Sequence, residues 1–170
     1  SFRLLRAEED YSCLKNNLAD GHPRKSLQCI HLFEKIAFGI GGDVRAQFQV
    51  LRNEDWQNGN DDGVLYQRLM LHSDWHLGRN IRLFGQLKSG FAFGRNGSPS
   101  PLDEDRLDVH QLFAGLRLGA STIEIGRQEL RYGSRRLIDV REGANVRQSF
   151  DGTRWIWQMP GKRLDVLFYT

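Results

Sequence analysis

The stretch IAFGIGGDVRAQFQVL, from Ile36 to Leu51, decides the fold class of this chain. Its even-numbered positions are apolar or small throughout, whereas its odd-numbered positions become polar from Asp43 onward. Because successive side chains of a strand point to opposite faces, this alternation predicts a β-strand with one apolar face and one polar face. Strands of soluble proteins average about five or six residues, and a tilted strand that crosses a membrane needs about 9–11. The length of the stretch therefore favours a membrane-spanning strand.

Later segments alternate in the same way and predict further strands. They cover residues 65–77, 81–93, 107–118, 121–132, 153–158 and 163–170, so that about seven strands are expected together with 36–51. The segment 121–132 changes phase near Gly126, and a glycine at a phase change predicts a β-bulge.

The connections between these predicted strands alternate in length. Long polar segments follow the first, third and fifth strands, and turns of two to four residues follow the others. An outer-membrane barrel has long extracellular loops and short periplasmic turns, which a soluble barrel or sandwich does not require. The pattern therefore predicts an all-β fold, an antiparallel transmembrane β-barrel whose first strand runs outward. Trp75, Trp155 and Trp157 fall near the predicted periplasmic ends, where interfacial aromatic residues are common.

Composition and charge limit the remaining possibilities. The 170 residues carry 24 basic and 21 acidic side chains, a net charge of +3, so bulk charge indicates no nucleic-acid partner. We expect residues 1–35 to form an N-terminal periplasmic segment and residues 36–170 to form part of a barrel domain. Single-chain bacterial barrels have an even number of strands, so about seven predicted strands suggest the N-terminal part of a larger barrel. Cys13 and Cys29 either form a disulfide across a loop of about 15 residues or remain unpaired thiols.

Four runs in this chain resemble the alginate-export family of Gram-negative outer-membrane proteins. They are DDGVLYQRLMLHSDWHLG, FGQLKSG, GRNGSPSPLDEDRLDVHQ and, as the longest, GRQELRYGSRRLIDVREGANVRQSFDG from Gly126 to Gly152. The resemblance spans about residues 36–170 and implies a large closed β-barrel within the known range of about 8–26 strands. It also implies a channel in the outer membrane of a Gram-negative bacterium, with an arginine-rich lumen that passes an acidic exopolysaccharide.

Cations on the polar strand faces are the candidate substrate path. A uronic-acid polymer carries one carboxylate per sugar, and fixed positive charge must offset the hydration that it loses in a pore. Many moderate contacts suit transport better than one tight site. The candidate path residues are Arg45, Arg68, Arg82, Lys88, Arg117, Arg127 and Arg131, the facing of the last two being open because of the phase change. The alternative is that such cations pair with lumen acids, such as Asp43, Asp74 and Glu124, and only fill the barrel.

The segment from Gly133 to Asp151 is the candidate constriction. Large barrels often narrow themselves with a loop or plug, and an arginine-rich one would select anions. The candidate constriction residues are Arg135, Arg136, Arg141, Arg147 and Asp151. The alternative is an exposed loop that is stabilised by its own acids, Asp139, Glu142 and Asp151.

The leading functional prediction is a non-enzymatic outer-membrane channel for an anionic solute, with export of an alginate-like polysaccharide as its main form. Its expected partners are outer-membrane lipid, the acidic polysaccharide or a small anionic solute, and a periplasmic export complex. An uptake porin for small anionic or aromatic compounds is the alternative, and a soluble β-rich glycan-binding protein is disfavoured by the apolar face of 36–51. We predict no catalytic residues and no cofactor. We also predict no metal site, since His72 and His76 would lie about 13 Å apart along one strand, too far to bind one metal ion.

Overall fold

A computed structural model of the chain describes Leu5, Ala7 and residues 30–33, 36–52, 62–95 and 100–170. Within these residues one antiparallel sheet contains eight strands, which lie side by side in chain order. The strands are β1 (Ile30–Phe33), β2 (Ile36–Leu51), β3 (Asp62–Leu77), β4 (Ile81–Phe93), β5 (Asp105–Leu118), β6 (Ser121–Gln128), β7 (Phe150–Met159) and β8 (Lys162–Tyr169). The all-β antiparallel class is confirmed, and the seven predicted strands are β2 to β8.

The sheet has two edges and is not closed within the described part of the chain. β1 pairs only with β2, and β8 pairs only with β7. Such an open, consecutively paired sheet is consistent with part of a β-barrel. β1 lies before the boundary predicted at residue 36, so the sheet begins upstream of that boundary. Cys13 and Cys29 lie outside the described residues.

The two faces of the sheet differ as the alternation predicts. β2 and β3 pair along their whole length, from Ile36 opposite Leu77 to Leu51 opposite Asp62, so the alternation is in phase across both strands. One face, called the outer face here, exposes large apolar side chains such as Val44, which is 78% exposed, Leu107 and Phe168. The opposite face, called the inner face, carries the polar residues. Aliphatic side chains on the outer face suit contact with lipid tails. Within the described residues no helix is both long and apolar enough to cross a bilayer.

The predicted bulge at Gly126 is wrong. The pairing of β6 with both of its neighbours runs through Gly126 without a shift. Gly126 instead has φ of 133°, and a Cβ atom there would lie 2.2 Å from the carbonyl oxygen of Leu112. Glycine is therefore required by backbone conformation and close approach. The phase change in the sequence reflects the end of β6, which stops at Gln128.

A bulge lies in β5 at His110. Gln86 of β4 pairs with Gln111, but the next residue, Leu87, pairs with Val109. His110 is the additional residue, and it is buried together with Gln111. A bulge changes which residues face each side, so consecutive polar residues both lie on the inner side here. As a result, the exposed apolar positions of β5 are odd-numbered before the bulge and even-numbered after it.

Three tight turns lie at one end of the strands, and the long connections lie at the other. The turns occupy 78–80, 119–120 and 160–161. Trp75, Trp155 and Trp157 lie on the outer face within a few residues of this end, and the Trp75 ring packs 4.1 Å from the Phe38 ring. This arrangement is typical of an aromatic girdle at a membrane interface. The orientation of this end toward the periplasm stays a prediction.

Candidate functional site

Residues 129–149, called the arginine segment here, fold back over the inner face of the sheet. The segment packs Leu130 and Val140 as a small buried apolar cluster. The Val146 amide donates a hydrogen bond to the carbonyl oxygen of Leu102 at 2.9 Å, which joins the segment to the β4–β5 connection. Gly90 on the inner face of β4 lies beneath it, since a Cβ atom there would meet the Asn145 amide nitrogen at 3.2 Å. The segment thus contacts the sheet wall.

Asn145 attaches the segment to three backbone elements. Its side-chain amide nitrogen donates to the carbonyl oxygens of Gln67 at 3.2 Å, Phe91 at 3.1 Å and Asp103 at 2.8 Å. These acceptors belong to β3, to β4 and to the connection that follows β4. Because Asn145 is buried, its hydrogen bonds are protected from competing water.

The carboxylate of Glu142 lies among three arginines from three different elements. Arg68 of β3 places Nη2 2.6 Å from Oε1, and Arg147 of the segment places Nε 3.0 Å from Oε2. Arg45 of β2 donates from Nη1 to the Glu142 carbonyl oxygen at 2.6 Å, and its Nη1 lies 3.8 Å from Oε1. These four residues are called the Glu142 site. Arg45 and Arg68 are directly opposite in the β2–β3 pairing. Like charges in that position repel, so Glu142 offsets a repulsion that the sheet itself creates.

The Glu142 site lies well inside the strands. Arg45 is six residues before the end of β2 at Leu51, which corresponds to about 20 Å along the strand. The part of the arginine segment around Glu142 therefore lies against the inner face of β2 and β3. Its role as a constriction stays a prediction.

Behind the Glu142 site lies a buried chain of polar contacts. Arg147 Nε is 2.9 Å from Glu129 Oε1, and the same carboxylate oxygen is 2.7 Å from His110 Nε2. The Glu129 amide donates to Gln111 Oε1 at 3.2 Å. Burial lowers the pKa of the Arg147 guanidinium, while Glu129 and Glu142 oppose that shift. An arginine remains charged despite such a shift, so Arg147 and Glu129 form an ion pair within the segment. Glu129 joins this pair to the bulge of β5 through hydrogen bonds with His110 and Gln111.

Most other inner-face cations also pair with acids. Arg82 forms a two-pronged bond with Asp74, with nitrogen–oxygen distances of 2.9 and 2.7 Å. Lys88 Nζ lies 3.2 Å from Asp105 and 3.5 Å from Asp108. Further along, Arg154 lies 2.6 Å from Glu124, and Arg163 lies 2.7 Å from Asp165. The sequence left open whether these cations pair with acids of the inner face, and at these positions they do.

The candidate path residues do not all share one face. Arg45, Arg68, Arg82 and Lys88 lie together on the inner face, and Arg117 lies on the same face at the exposed tight-turn end. Arg127 lies on the outer face in line with Ile123 and Ile125. There its guanidinium meets Asp151, the residue opposite it in β7, at 2.9 Å. Arg131 is exposed beyond the end of β6.

The candidate constriction residues lie in three different places. Arg147 is buried in the Glu142 site, and Asp151 is on the outer face with Arg127. Arg135, Arg136 and Arg141 are exposed. In contrast to Arg147, these three form no ion pair with any residue that the structure describes.

Sequence reasoning missed several residues of this site. Glu142 was considered only as an acid that stabilises an exposed loop, and His110, Glu129 and Asn145 were not considered. Glu142 could have been found as an acid at the centre of an arginine-rich segment, because an arginine cluster generally needs a counter-charge. The sequence gives no signal for how far the segment reaches over the inner face.

A family model described as alginate export matches residues 37–169. The match covers β2 to β8 and the whole arginine segment. No curated protein and no solved structure gives a significant match.

Proposed function

The chain belongs to the alginate-export family of outer-membrane β-barrel transport proteins, and from this premise we propose that it forms part of the wall of a channel that passes an anionic solute. An acidic exopolysaccharide moving outward, across the outer membrane of a Gram-negative bacterium, is the cargo that we favour. In this proposal the chain serves transport and has no catalytic activity, and it works with a periplasmic export complex.

One observation carries this proposal. The arginine segment covers the inner face and exposes Arg135, Arg136 and Arg141 without acid partners among the described residues, whereas the wall beneath it is rich in ion pairs. Paired charges nearly cancel at a distance, so they contribute little net potential. Unpaired guanidinium groups attract anions and bind carboxylates through planar pairs of N–H donors. The exposed arginines of the segment would therefore set the anion preference.

The paired wall suits the passage of a long chain. A polysaccharide moves only if each contact is weak enough to be exchanged for the next one. An arginine that already has an acid partner gains little by binding a passing carboxylate, and exposed ion pairs are worth at most about 1 kcal/mol each. The wall would thus offer many exchangeable contacts, as an acidic polymer requires.

An uptake porin for small anionic compounds is a second candidate. The observation in its favour is the close packing of the arginine segment against the wall, because a covered wall narrows the space available to a polymer. The two candidates differ in cargo size. Long oligouronates should enter and block an exporter, whereas a porin should respond to small anions and ignore long chains.

The test uses the complete gene product that contains this chain, reconstituted in planar bilayers. Single-channel anion-to-cation permeability and block by a defined oligouronate would be compared between wild type and an Arg135→Gln, Arg136→Gln, Arg141→Gln triple variant. At about 0.5 kcal/mol for each of the three exposed contacts, the triple variant should bind the oligouronate about tenfold more weakly and lose most of its anion preference.

Arg79→Gln is the matched control, because Arg79 is exposed in the tight turn at the opposite end of the strands. It should behave as wild type. A neutral oligosaccharide of the same length should not block any of these proteins. A wild-type pore that prefers cations, or that shows no ionic preference, would contradict the proposal.

A further inference from the structure

We propose that the Glu142 site is a carboxylate-binding site in which the protein's own Glu142 takes the place of a ligand carboxylate. A uronate group of the transported solute would displace Glu142 and thereby release this part of the arginine segment from the wall. The inference rests on the proposed passage of an anionic solute and adds a specific site and an autoinhibitory contact to it.

The exposure of the four residues supports displacement. Arg68 and Arg147 have side chains that are 2% and 1% exposed, whereas the Glu142 side chain is 33% exposed. Arg68 and Arg147 are therefore built into the wall and the segment, and the carboxylate covers them from the open side, where Arg45 is 26% exposed. An anion that approaches along the inner face meets Glu142 first and competes with it for the same donors.

Arg68 has unused binding capacity. Only its Nη2 reaches Glu142, and its buried Nε and Nη1 atoms have no hydrogen-bond partner among the described residues. A buried donor without an acceptor costs about 1–3 kcal/mol, and more when it is charged. A ligand carboxylate that engaged two nitrogens of Arg68 at once would recover part of this cost, because guanidinium and carboxylate match in two-pronged geometry.

The charge balance indicates what the site would accept. Three cations, Arg45, Arg68 and Arg147, contact Glu142, and Arg147 also contacts Glu129 and interacts electrostatically with Asp43. Three positive and three negative charges leave no surplus. When Glu142 moves away, three positive and two negative charges leave one positive charge, which one carboxylate neutralises. A uronate sugar carries one carboxylate.

A polar cavity beside Arg45 is suited to the rest of a sugar. Its volume is about 60 Å³, and it is lined by Arg45, Gln47, Gln49, Tyr66, Asp103, Gly143, Ala144 and Asn145. Amide and phenol groups bind hydroxyls well. Small-molecule sites have about 300–1,000 Å³, so a sugar ring cannot enter while the segment stays in place. Gly143 and Ala144 follow Glu142 directly, so displacement of Glu142 would move two residues of the cavity wall and enlarge the space. Ligand binding and release of the segment would therefore be coupled.

The first experiment measures oligouronate affinity for the complete gene product as wild type and in three variants. In Glu142→Gln the shape is kept and the competing charge is lost, so affinity should rise about tenfold, within the 5–150-fold range typical of coupled sites. Glu104→Gln is the matched control, since Glu104 lies in the β4–β5 connection and pairs with the exposed Arg106 of β5, away from the Glu142 site, and it should leave affinity unchanged. In a third variant, Arg68→Met combined with Glu142→Gln, the gain should disappear.

The second experiment needs no variant and so does not depend on whether Glu142→Gln folds. Trypsin cleavage after the exposed Arg141 should accelerate when the oligouronate is added, because the neighbouring Glu142 has been released. A neutral oligosaccharide of equal length should have no effect. Unchanged or slower cleavage with bound oligouronate would overturn the displacement mechanism.

The outcomes separate the two proposals. If wild type binds oligouronate but Glu142→Gln binds it equally or more weakly, the Glu142 site is not a ligand site and the channel function stands. If neither protein binds it, both proposals fail. If only Glu142→Gln binds it, the autoinhibitory contact is supported in its strongest form.

Discussion

Replacement of Asn145 by alanine tests whether the arginine segment is held on the inner face by specific hydrogen bonds. The Asn145 amide nitrogen has three carbonyl oxygens within reach, at 2.8, 3.1 and 3.2 Å. An amide carries only two N–H donors, so at most two of these contacts are full hydrogen bonds. The change to alanine removes both of them and leaves the side chains of the Glu142 site in place.

The expected cost follows from the number of bonds. Each buried hydrogen bond contributes about 0.5–1.5 kcal/mol net, so two are worth about 1–3 kcal/mol. At about 2 kcal/mol, the ratio of released to attached segment should rise about 30-fold. The sheet itself should keep its stability, because Asn145 lies outside every strand.

Limited trypsin digestion of the folded, reconstituted protein measures this ratio at the exposed Arg141. When the segment opens and closes faster than trypsin cuts, the cleavage rate follows the open population. Asn145→Ala should therefore be cleaved about 30-fold faster than wild type. Asn80→Ala, in the exposed turn between β3 and β4, makes the same chemical change away from the segment and should be cleaved at the wild-type rate.

A rate for Asn145→Ala within twofold of wild type, measured on protein that migrates as folded barrel, would refute this reasoning. It would show that the segment is attached by its ionic contacts alone, and that the Asn145 bonds are replaced by water at no cost.

Two further predictions concern the sheet. Val44→Arg puts a charge on the outer face and should cost about 2–4 kcal/mol of folding free energy in lipid. Gln49→Arg, on the inner face of the same strand, should cost less than about 1 kcal/mol. Equal costs in urea titrations of the reconstituted protein would contradict the assignment of the two faces. Gly126→Ala should destabilise the barrel by at least about 1–3 kcal/mol, because its φ is 133° and the new Cβ would lie 2.2 Å from a backbone oxygen. Gly143→Ala, where a Cβ meets no atom within 4 Å, should be nearly neutral by the same titration, and a similar loss in both would argue against the close approach at Gly126.

Much of the fold could be predicted because each strand shows a local alternation of apolar and polar residues. The bounds expected for 36–51 and 81–93 match β2 and β4, and the other strands differ from their predictions by a few residues at the ends. The prediction failed where a strand leaves its regular pattern. The change of polarity near Gly126 suggested a bulge there, but the extra residue is His110 in β5, where a histidine and a glutamine gave no apolar signal to mark it.

The candidate site was harder to predict because its contacts are long-range. Arg45, Arg68, Arg82 and Lys88 were placed on the inner face by alternation alone. Their partners were not, since Glu142 follows Arg68 by 74 residues and Arg45 by 97. The position of Arg127 shows the same limit, because only the pairing of β6 with β7 sets it opposite Asp151 on the outer face.

The sequence by itself determined which side chains lie on which face of the regular strands β2 to β4, because the two-residue period of a strand is a property of the backbone and needs no partner. It also determined the alternation of long connections and tight turns, and hence the antiparallel order of the strands. Only the tertiary structure decided where the arginine segment lies and which charges meet there. Ion pairs and side-chain hydrogen bonds depend on distances of a few ångströms between residues far apart in the chain, and those distances exist only after the sheet has formed and the segment has folded onto it.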